Sequence, residues 1–514
     1  MLQDTTSAST TLVLAVLLSA AIASYVWHTR QRLFEKLPGP PSTSWLLGNA
    51  RDVFSNRWAL GEFPEPGLSW LKQYGPVYHY RVLHMHRVAI ADPVALKHIL
   101  VTKARDFPRN TVSRIFLSKL FRGVGLLSAE GDTHAAMRRT MNPHFAHTHL
   151  KTFVPIFTAH THTLLSQLEA LAGTDTPVNL YTCHFTKLTL DIIGVAAFGY
   201  EFGALSGNNI DAYTDAKVPA TFASLFGMTF IPGYSYLPLP GFARRRLARD
   251  ELMATVLRVI EAKMAAPIAD PPKDIIDRIL AAGPAMTAAE ARVHVFTFMQ
   301  AGHETTSNTL CWIVAHLSKH PEIEAAVRAE CISVLARHPD GMTWEGLGEL
   351  PLLTAVIQET LRICPTVTNL AARGMLKDEA IPFSDGSEIV LPKARLWVND
   401  AMIWIDTAAI HRNPAYWSRP DEFIPERFIE GSPTYVADKE LRGGKATSFH
   451  YFPFSTGEKN CIGHRFATME LQVVLVHVLA SVRFEVTAAA NLHPKRQVAT
   501  VTPMFLETTV HRVG

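Results

Sequence analysis

Disulfide capacity is the first thing this chain lacks. Its five cysteines, Cys183, Cys311, Cys331, Cys364 and Cys461, are odd in number and unclustered in 514 residues. That excludes a disulfide framework or a zinc ribbon and fits a reducing compartment. Charge is also scarce: Asp, Glu, Lys and Arg make up 18% of the chain, against roughly 25% in soluble domains. The 49 Lys and Arg nearly balance the 46 Asp and Glu, for a net +3. With no block of like charge, no nucleic-acid partner is expected. No internal repeat, low-complexity tract, or flavin or nicotinamide fingerprint is present. What is abundant is apolar surface, 48% of residues, which excludes disorder and demands a large core.

The N-terminal end carries the longest uncharged run. Thr5 to Trp27, 23 residues, hold no charge and no His, and Arg30, Arg32 and Lys36 follow. As a helix the run would be about 35 Å long, enough for a bilayer core, with the basic flank placing the following chain in the cytosol. Ala21-Ile22-Ala23 offers a small-residue cleavage site, so a signal peptide is the competing reading. Asp4 and the lack of Lys or Arg ahead of the run favour an anchor. Leu37-Pro38-Gly39-Pro40-Pro41 then ends any helix in a stiff hinge. The expected layout is a membrane anchor with its basic flank over 1–36, its helix at about 8–28, and one large domain over 37–514.

Within that domain, Val77 to Val82 and Arg87 to Ala91 alternate like a short hairpin. Most later patterns are helical: 151–172, 180–198, 242–265 and 321–335. Thr287-Ala288-Ala289-Glu290 is a capping box, and no proline interrupts the chain until His320-Pro321. This predicts one helix of about 33 residues and about 50 Å, long enough to cross a domain. Prolines between Pro382 and Pro433 predict a meandering loop region. The fold class expected is mainly α with a minor β-sheet portion.

The chemistry concentrates at Phe454-Ser455-Thr456-Gly457-Glu458-Lys459-Asn460-Cys461-Ile462-Gly463. A helical pattern runs from Cys461 to Leu479, so the cysteine is expected at a helix N-terminus, where free N–H groups favour a thiolate. A thiolate can serve as an axial haem ligand, and Gly463 leaves room for a close approach. The other four cysteines read as small buried hydrophobes.

This segment resembles the haem-binding loop of the cytochrome P450 superfamily, Phe-x-x-Gly-x-Arg-x-Cys-x-Gly, with Lys459 in place of the usual Arg. The resemblance runs from the anchor to the C-terminal end and implies the P450 fold. It makes Cys461 the iron ligand of haem b, with Phe454 and Gly463 flanking. Glu359-Thr360-Leu361-Arg362 matches the Glu-x-x-Arg motif, and Pro425-Glu426-Arg427-Phe428 looks like its partner segment. Glu359, Arg362 and Arg427 are thus expected to form a structural network behind the haem. His134 and Arg138 occupy the Trp-x-x-x-Arg positions, with His in place of Trp. Arg138 is the implied propionate partner, with Lys459 and Arg373 as further candidates. Ala301-Gly302-His303-Glu304-Thr305-Thr306 matches the oxygen-activating segment. There Ala301 and Gly302 would make room for haem and dioxygen. Thr305 would bond the Ala301 carbonyl and Glu304 would relay protons.

The zinc-protease reading fails because residue 307 is Ser where a second His is needed. His144, His147, His149, His160 and His162 form a cluster that is expected on exposed surface. Only 53 residues (514 − 461) follow Cys461, too few for a reductase domain. The resemblance therefore implies electrons from NADPH through a separate flavoprotein, the NADPH–cytochrome reductase, with cytochrome b5 as an auxiliary donor. It also implies an endoplasmic-reticulum membrane location. The implied reaction puts one atom of dioxygen into a lipophilic substrate and the other into water. By the same resemblance, Phe296, Leu370, Met504 and Phe505 would give the pocket a mostly apolar lining. The overall pattern is similar to fungal microsomal members, which points to a terpenoid or other specialised metabolite. The competing readings are a haem-thiolate isomerase or dehydratase, and a haem sensor. Neither needs the Glu304-Thr305 pair.

Overall fold

The computed structural model describes residues 34, 36–83, 85–208, 221–265, 272–282, 287–393, 402–445, 447 and 449–513. The apolar run at 5–27 lies outside them, so the anchor reading falls on residues that are not described. Among the described residues no helix is long and apolar enough to cross a membrane.

The predicted hairpin forms as β1 (Val77–Val82) and β2 (Met85–Ile90), paired antiparallel with Val77 opposite Ile90. Helix α1 (Gly131–Met141) carries His134 and Arg138. Helices α2 (Val154–Leu171) and α3 (Thr186–Phe198) follow. The segment before each of them, predicted as helix, is instead a tighter or wider turn at Lys151–Phe153 and Tyr181–Phe185.

The long rod is α4 (Ala288–Leu317), 30 residues. Thr287 caps it with both halves of the capping box made. Twenty of its residues are buried, so it is wrapped on all sides rather than amphipathic. It packs along α3, against α5 (Pro351–Ile363), and against the C-terminal elements. The contact with α3 requires Gly302: a Cβ there would lie 2.8 Å from Ile193 Cδ1. The absent side chain at 302 thus serves helix–helix approach. Room for a ligand, which the sequence suggested, is not what this glycine provides.

Strand β3 (Met402–Trp404) lies parallel to β2, with Arg87 opposite Met402. Helix α6 (Pro433–Leu441) and helix α7 (His464–Ser481) come next. Strands β4 (Asn491–Arg496) and β5 (Val501–Phe505) form a hairpin against α4. The result is mainly helical with small sheets, as the sequence implied. One large core joins α2, α3, α4, α5 and α7, and a second lies around β1, β2 and β3.

Candidate functional site

Cys461 lies three residues ahead of α7 rather than on its first turn, because Gly463 is the N-cap. The preceding Gly457–Lys459 turn forces the chain close to Leu100. A Cβ on Gly457 would sit 2.0 Å from the Leu100 carbonyl oxygen, and φ there is +76°. The loop is closed by Cys461 N–H donating to Phe454 O at 2.8 Å. The Cys461 residue is exposed by surface area, yet crowding protein raises its thiol pKa by desolvation. The Gly463 backbone N–H and the charge of Arg138 pull the other way. A Cβ on Gly463 would meet nothing within 4 Å, so that face of the loop is open.

Around this loop the fold gathers four cations. Arg138 donates to Asn460 O at 2.7 Å and also to Asn460 Oδ1. Lys459 Nζ lies 2.7 Å from Glu130 Oε2. Arg109 Nη1 donates to Glu130 Oε1 at 2.9 Å. Arg373 is 4% exposed, and its Nε and Nη1 have no hydrogen-bond partner. Burial and the nearby charge of Arg109 depress its pKa to about 10. His134 is buried, and desolvation together with Arg109 and Lys459 lowers it to about 4, so it is neutral at pH 7.

This donor set fits haem. A buried guanidinium with unpaired N–H groups is costly without an anion, and carboxylate is its matched partner. A desolvated thiol becomes a thiolate readily only when it faces a cation such as a metal. The open side of the loop at Gly463 places no protein atom in the way.

On α4, Thr305 Oγ1 donates to Ala301 O at 2.8 Å, the bond its spacing predicts. Thr306 and Thr309 repeat the pattern to Gly302 and Thr305. Thr189 on α3 adds a donor to His303 O at 3.0 Å. Ala301 is exposed. Glu304 does not bond Thr305: its Oε1 accepts from Thr500 Oγ1 at 2.9 Å, at the turn between β4 and β5. Of the pocket candidates, Phe296 and Leu370 are buried, and Phe296 meets Phe121 edge-on at 6.4 Å. Met504 and Phe505 are exposed.

Behind the loop, the sequence trio is brought together and extended. Glu359 Oε2 accepts from Arg362 Nε at 2.7 Å, and Glu359 Oε1 from Arg427 Nε at 3.0 Å. All three side chains are fully buried. Ile424 N–H donates to the same carboxylate at 2.8 Å. Asp438 on α6 pairs with Arg427, and Trp417 lies under the guanidiniums of Arg362 and Arg427 at 5.4 and 5.8 Å. Removing one member would strand buried charge, a loss of about 3–5 kcal/mol.

The cytochrome P450 family model matches residues 38–505. The chain belongs to the cytochrome P450 family. It is 28% identical to cytochrome P450 monooxygenase 91 of Postia placenta, over 93% of this chain and 94% of that one. It is 28% identical to cytochrome P450 monooxygenase sphH of Aspergillus fumigatus, over 91% and 86%. Cytochrome P450 4F3 of Mus musculus is 28% identical over 94% and 91%. Members of this family carry haem b, which agrees with the donor set above.

Several residues of this P450 escaped the sequence reading. Arg109, Glu130 and Asn460 join the cations around the loop, Asp438 and Trp417 join the buried network, and Thr500 holds Glu304. Arg109 follows Phe107-Pro108 with no local signal. Glu130 had one, since it immediately precedes α1. Of the His cluster, His147 and His162 are exposed as expected, whereas His144 is buried, tilted against His149 at 6.3 Å between ring centroids. Among the described residues no group of His, Cys, Asp and Glu is arranged to hold a bare metal ion.

Proposed function

We propose that this chain is a haem-thiolate monooxygenase that adds one atom of dioxygen to a lipophilic substrate. The observation that carries it is Cys461 in a folded loop with an open face at Gly463, inside a domain matched to the P450 family from 38 to 505. Cys461 would hold the iron of haem b, with Gly463 N–H donating to its sulfur and Arg138 facing it. Arg373 and Arg138 would hold the propionates, with His134 alongside as a neutral donor. When bound, the haem supplies dioxygen activation and transfer of one oxygen atom.

The chain's own residues supply position and protons. Thr305 keeps its hydroxyl on the Ala301 carbonyl, so its oxygen stays at a fixed place on the helix and open to accept a proton donor. Glu304, held by Thr500, is the acid that would pass protons inward from the β4–β5 side. Glu359, Arg362 and Arg427 would fix the segment after α5 against the cysteine loop, a role in folding and haem retention. Phe454 closes the loop through its carbonyl. An isomerase, dehydratase or sensor has no use for the acid–alcohol pair at 304 and 305, which favours the oxygenase.

Electrons would come from NADPH through a separate reductase, with cytochrome b5 as an auxiliary donor. As substrate we propose a specialised metabolite such as a terpenoid, on the resemblance of the sequence to fungal microsomal members. The uncharged run at 5–27 and its basic flank support a single-pass anchor in the endoplasmic reticulum, with residues 37–514 as the cytosolic domain. Deleting residues 1–36 is expected to release the protein from membranes with haem binding retained. Membrane association that persists after the deletion refutes the anchor.

The test of function is the carbon monoxide difference spectrum of the reduced protein. A Soret band at the thiolate position, lost in Cys461→Ala, together with a mass gain of one oxygen in a lipophilic substrate, is the expected result. A histidine-type haem spectrum overturns the proposal.

A further inference from the structure

The four cations around the cysteine loop are not equivalent. Glu130 spends both carboxylate oxygens on two of them. Its Oε1 accepts from the Arg109 backbone N–H at 3.1 Å and from Arg109 Nη1 at 2.9 Å. Its Oε2 lies 2.7 Å from Lys459 Nζ. All three side chains are enclosed, at 10%, 7% and 4% exposure for Glu130, Arg109 and Lys459. Burial alone would raise the Glu130 carboxyl, yet the hydrogen bonds and charges of Lys459 and Arg109 hold it below the ordinary range. Glu458, at 3.5 Å from Lys459, is partly exposed and adds a weaker pull on the same ammonium. Backbone pairing between Arg109 and Arg373 fixes the triad beside the unpartnered Arg373 guanidinium.

Lysine is a point donor on a flexible stem, without the fork that lets arginine grip one carboxylate and still reach another. A Lys459 ammonium enclosed against Glu130 is therefore committed to it. Resting on the haem reading above, we propose that Glu130 is a positioning residue of the haem pocket. It locks Lys459 and Arg109 into a protein-internal ion triad, so that Arg373 and Arg138, not Lys459, receive the propionates. The chain thereby sets the charge around the haem with a carboxylate of its own. Lys459 anchors the cysteine loop to the start of α1 and does not grip the cofactor.

The test compares four purified full-length holoproteins: wild type, Glu130→Gln, Lys459→Met and the double variant. Haem midpoint potential and the rate of haem transfer to apomyoglobin are read for each. Glu130→Gln removes a negative charge and is expected to move the potential positive. Lys459→Met removes a positive charge and is expected to move it negative. Each single change unbalances the enclosed triad, Glu130→Gln by leaving two cations without a carboxylate and Lys459→Met by freeing one carboxylate oxygen, so haem release should be about tenfold faster or more. In the double variant the triad regains its wild-type net charge, so the potential should return close to wild type, and release should be faster by less than the two single effects combined, with Arg109 keeping the amide oxygen as its acceptor. Should a single variant fail to accumulate, the double variant is still expected to. Its failure as well overturns the proposal. The proposal is also overturned if Lys459→Met speeds haem release equally with and without Glu130→Gln, because that is the result of a lysine gripping haem directly. No change on Glu130→Gln overturns it too. A wild-type protein with no thiolate-ligated haem would instead refute the functional reading.

Discussion

Thr305 and Glu304 are neighbours in sequence that face different partners. The Thr305 hydroxyl is bonded within its own helix to Ala301, whereas the Glu304 carboxylate reaches across to Thr500. Successive helical residues point about 100° apart, so divergence is the rule and a shared target needs a bridging group. If Thr305 supplies the last hydroxyl in a proton path, Thr305→Ala keeps the haem spectrum but divorces NADPH oxidation from product, with reduced oxygen species making up the difference. Stopped coupling is read as product formed per NADPH consumed, and an unchanged ratio contradicts the role. The glutamate and arginine at i and i+3 on α5 were readable as a pair because both partners lie on one turn. Asp438 was not, since nothing near Arg427 in sequence announces a carboxylate on another helix.

At the scale of the element, α4 shows how local and tertiary signals divide. Its start is written in Thr287 and Glu290, whose mutual hydrogen bonds satisfy N–H groups that the helix itself cannot. Its path beside α3 is decided at Gly302, where a side chain would run into Ile193. Gly302→Val is expected to lower stability by about 1–3 kcal/mol through overpacking. The expected readout is a lower midpoint in thermal or urea unfolding, and an unchanged midpoint would show that Ile193 can move aside. The helix end of the cysteine loop was misplaced by three residues for a related reason. Apolar spacing continues through Ile462 and Phe466, but the loop closure between Cys461 and Phe454 keeps the backbone out of helix until Gly463.

Across the whole molecule, neutral histidines are a property of the core. His316 and His411 are each held near pKa 3 by burial, and both feel the charges of surrounding arginines. His411 Nε2 accepts from Phe452 N–H at 2.9 Å, a bond that a protonated ring cannot make. His316 stacks on Phe423 at 4.6 Å. Their folded pKa values lie below the unfolded value near 6.5, so the unfolded chain binds more protons as pH drops. Stability is therefore full above about pH 6.5 and declines as pH falls toward 3, by about 1.4 kcal/mol per unit for each such histidine. Urea unfolding from pH 8 to pH 4.5 should show this fall beginning above the carboxylate range. A His411→Gln protein should show a shallower slope between pH 6.5 and 4.5.

The sequence by itself determined whatever is encoded within a turn or two of chain: the capped rod, the Thr305-to-Ala301 bond, the Glu359–Arg362 pair, the hairpin and the cysteine loop with its glycines. These rest on backbone hydrogen bonding and on side chains three or four residues apart, which spacing alone fixes. Tertiary structure alone decided which charge meets which. Glu130 finds Lys459 across 329 positions (459 − 130), Arg138 finds Asn460 across 322, and Glu304 finds Thr500 across 196. Such pairs form because burial in a low-dielectric interior makes any unpaired charge costly, and only the packed fold determines which partner lies within reach.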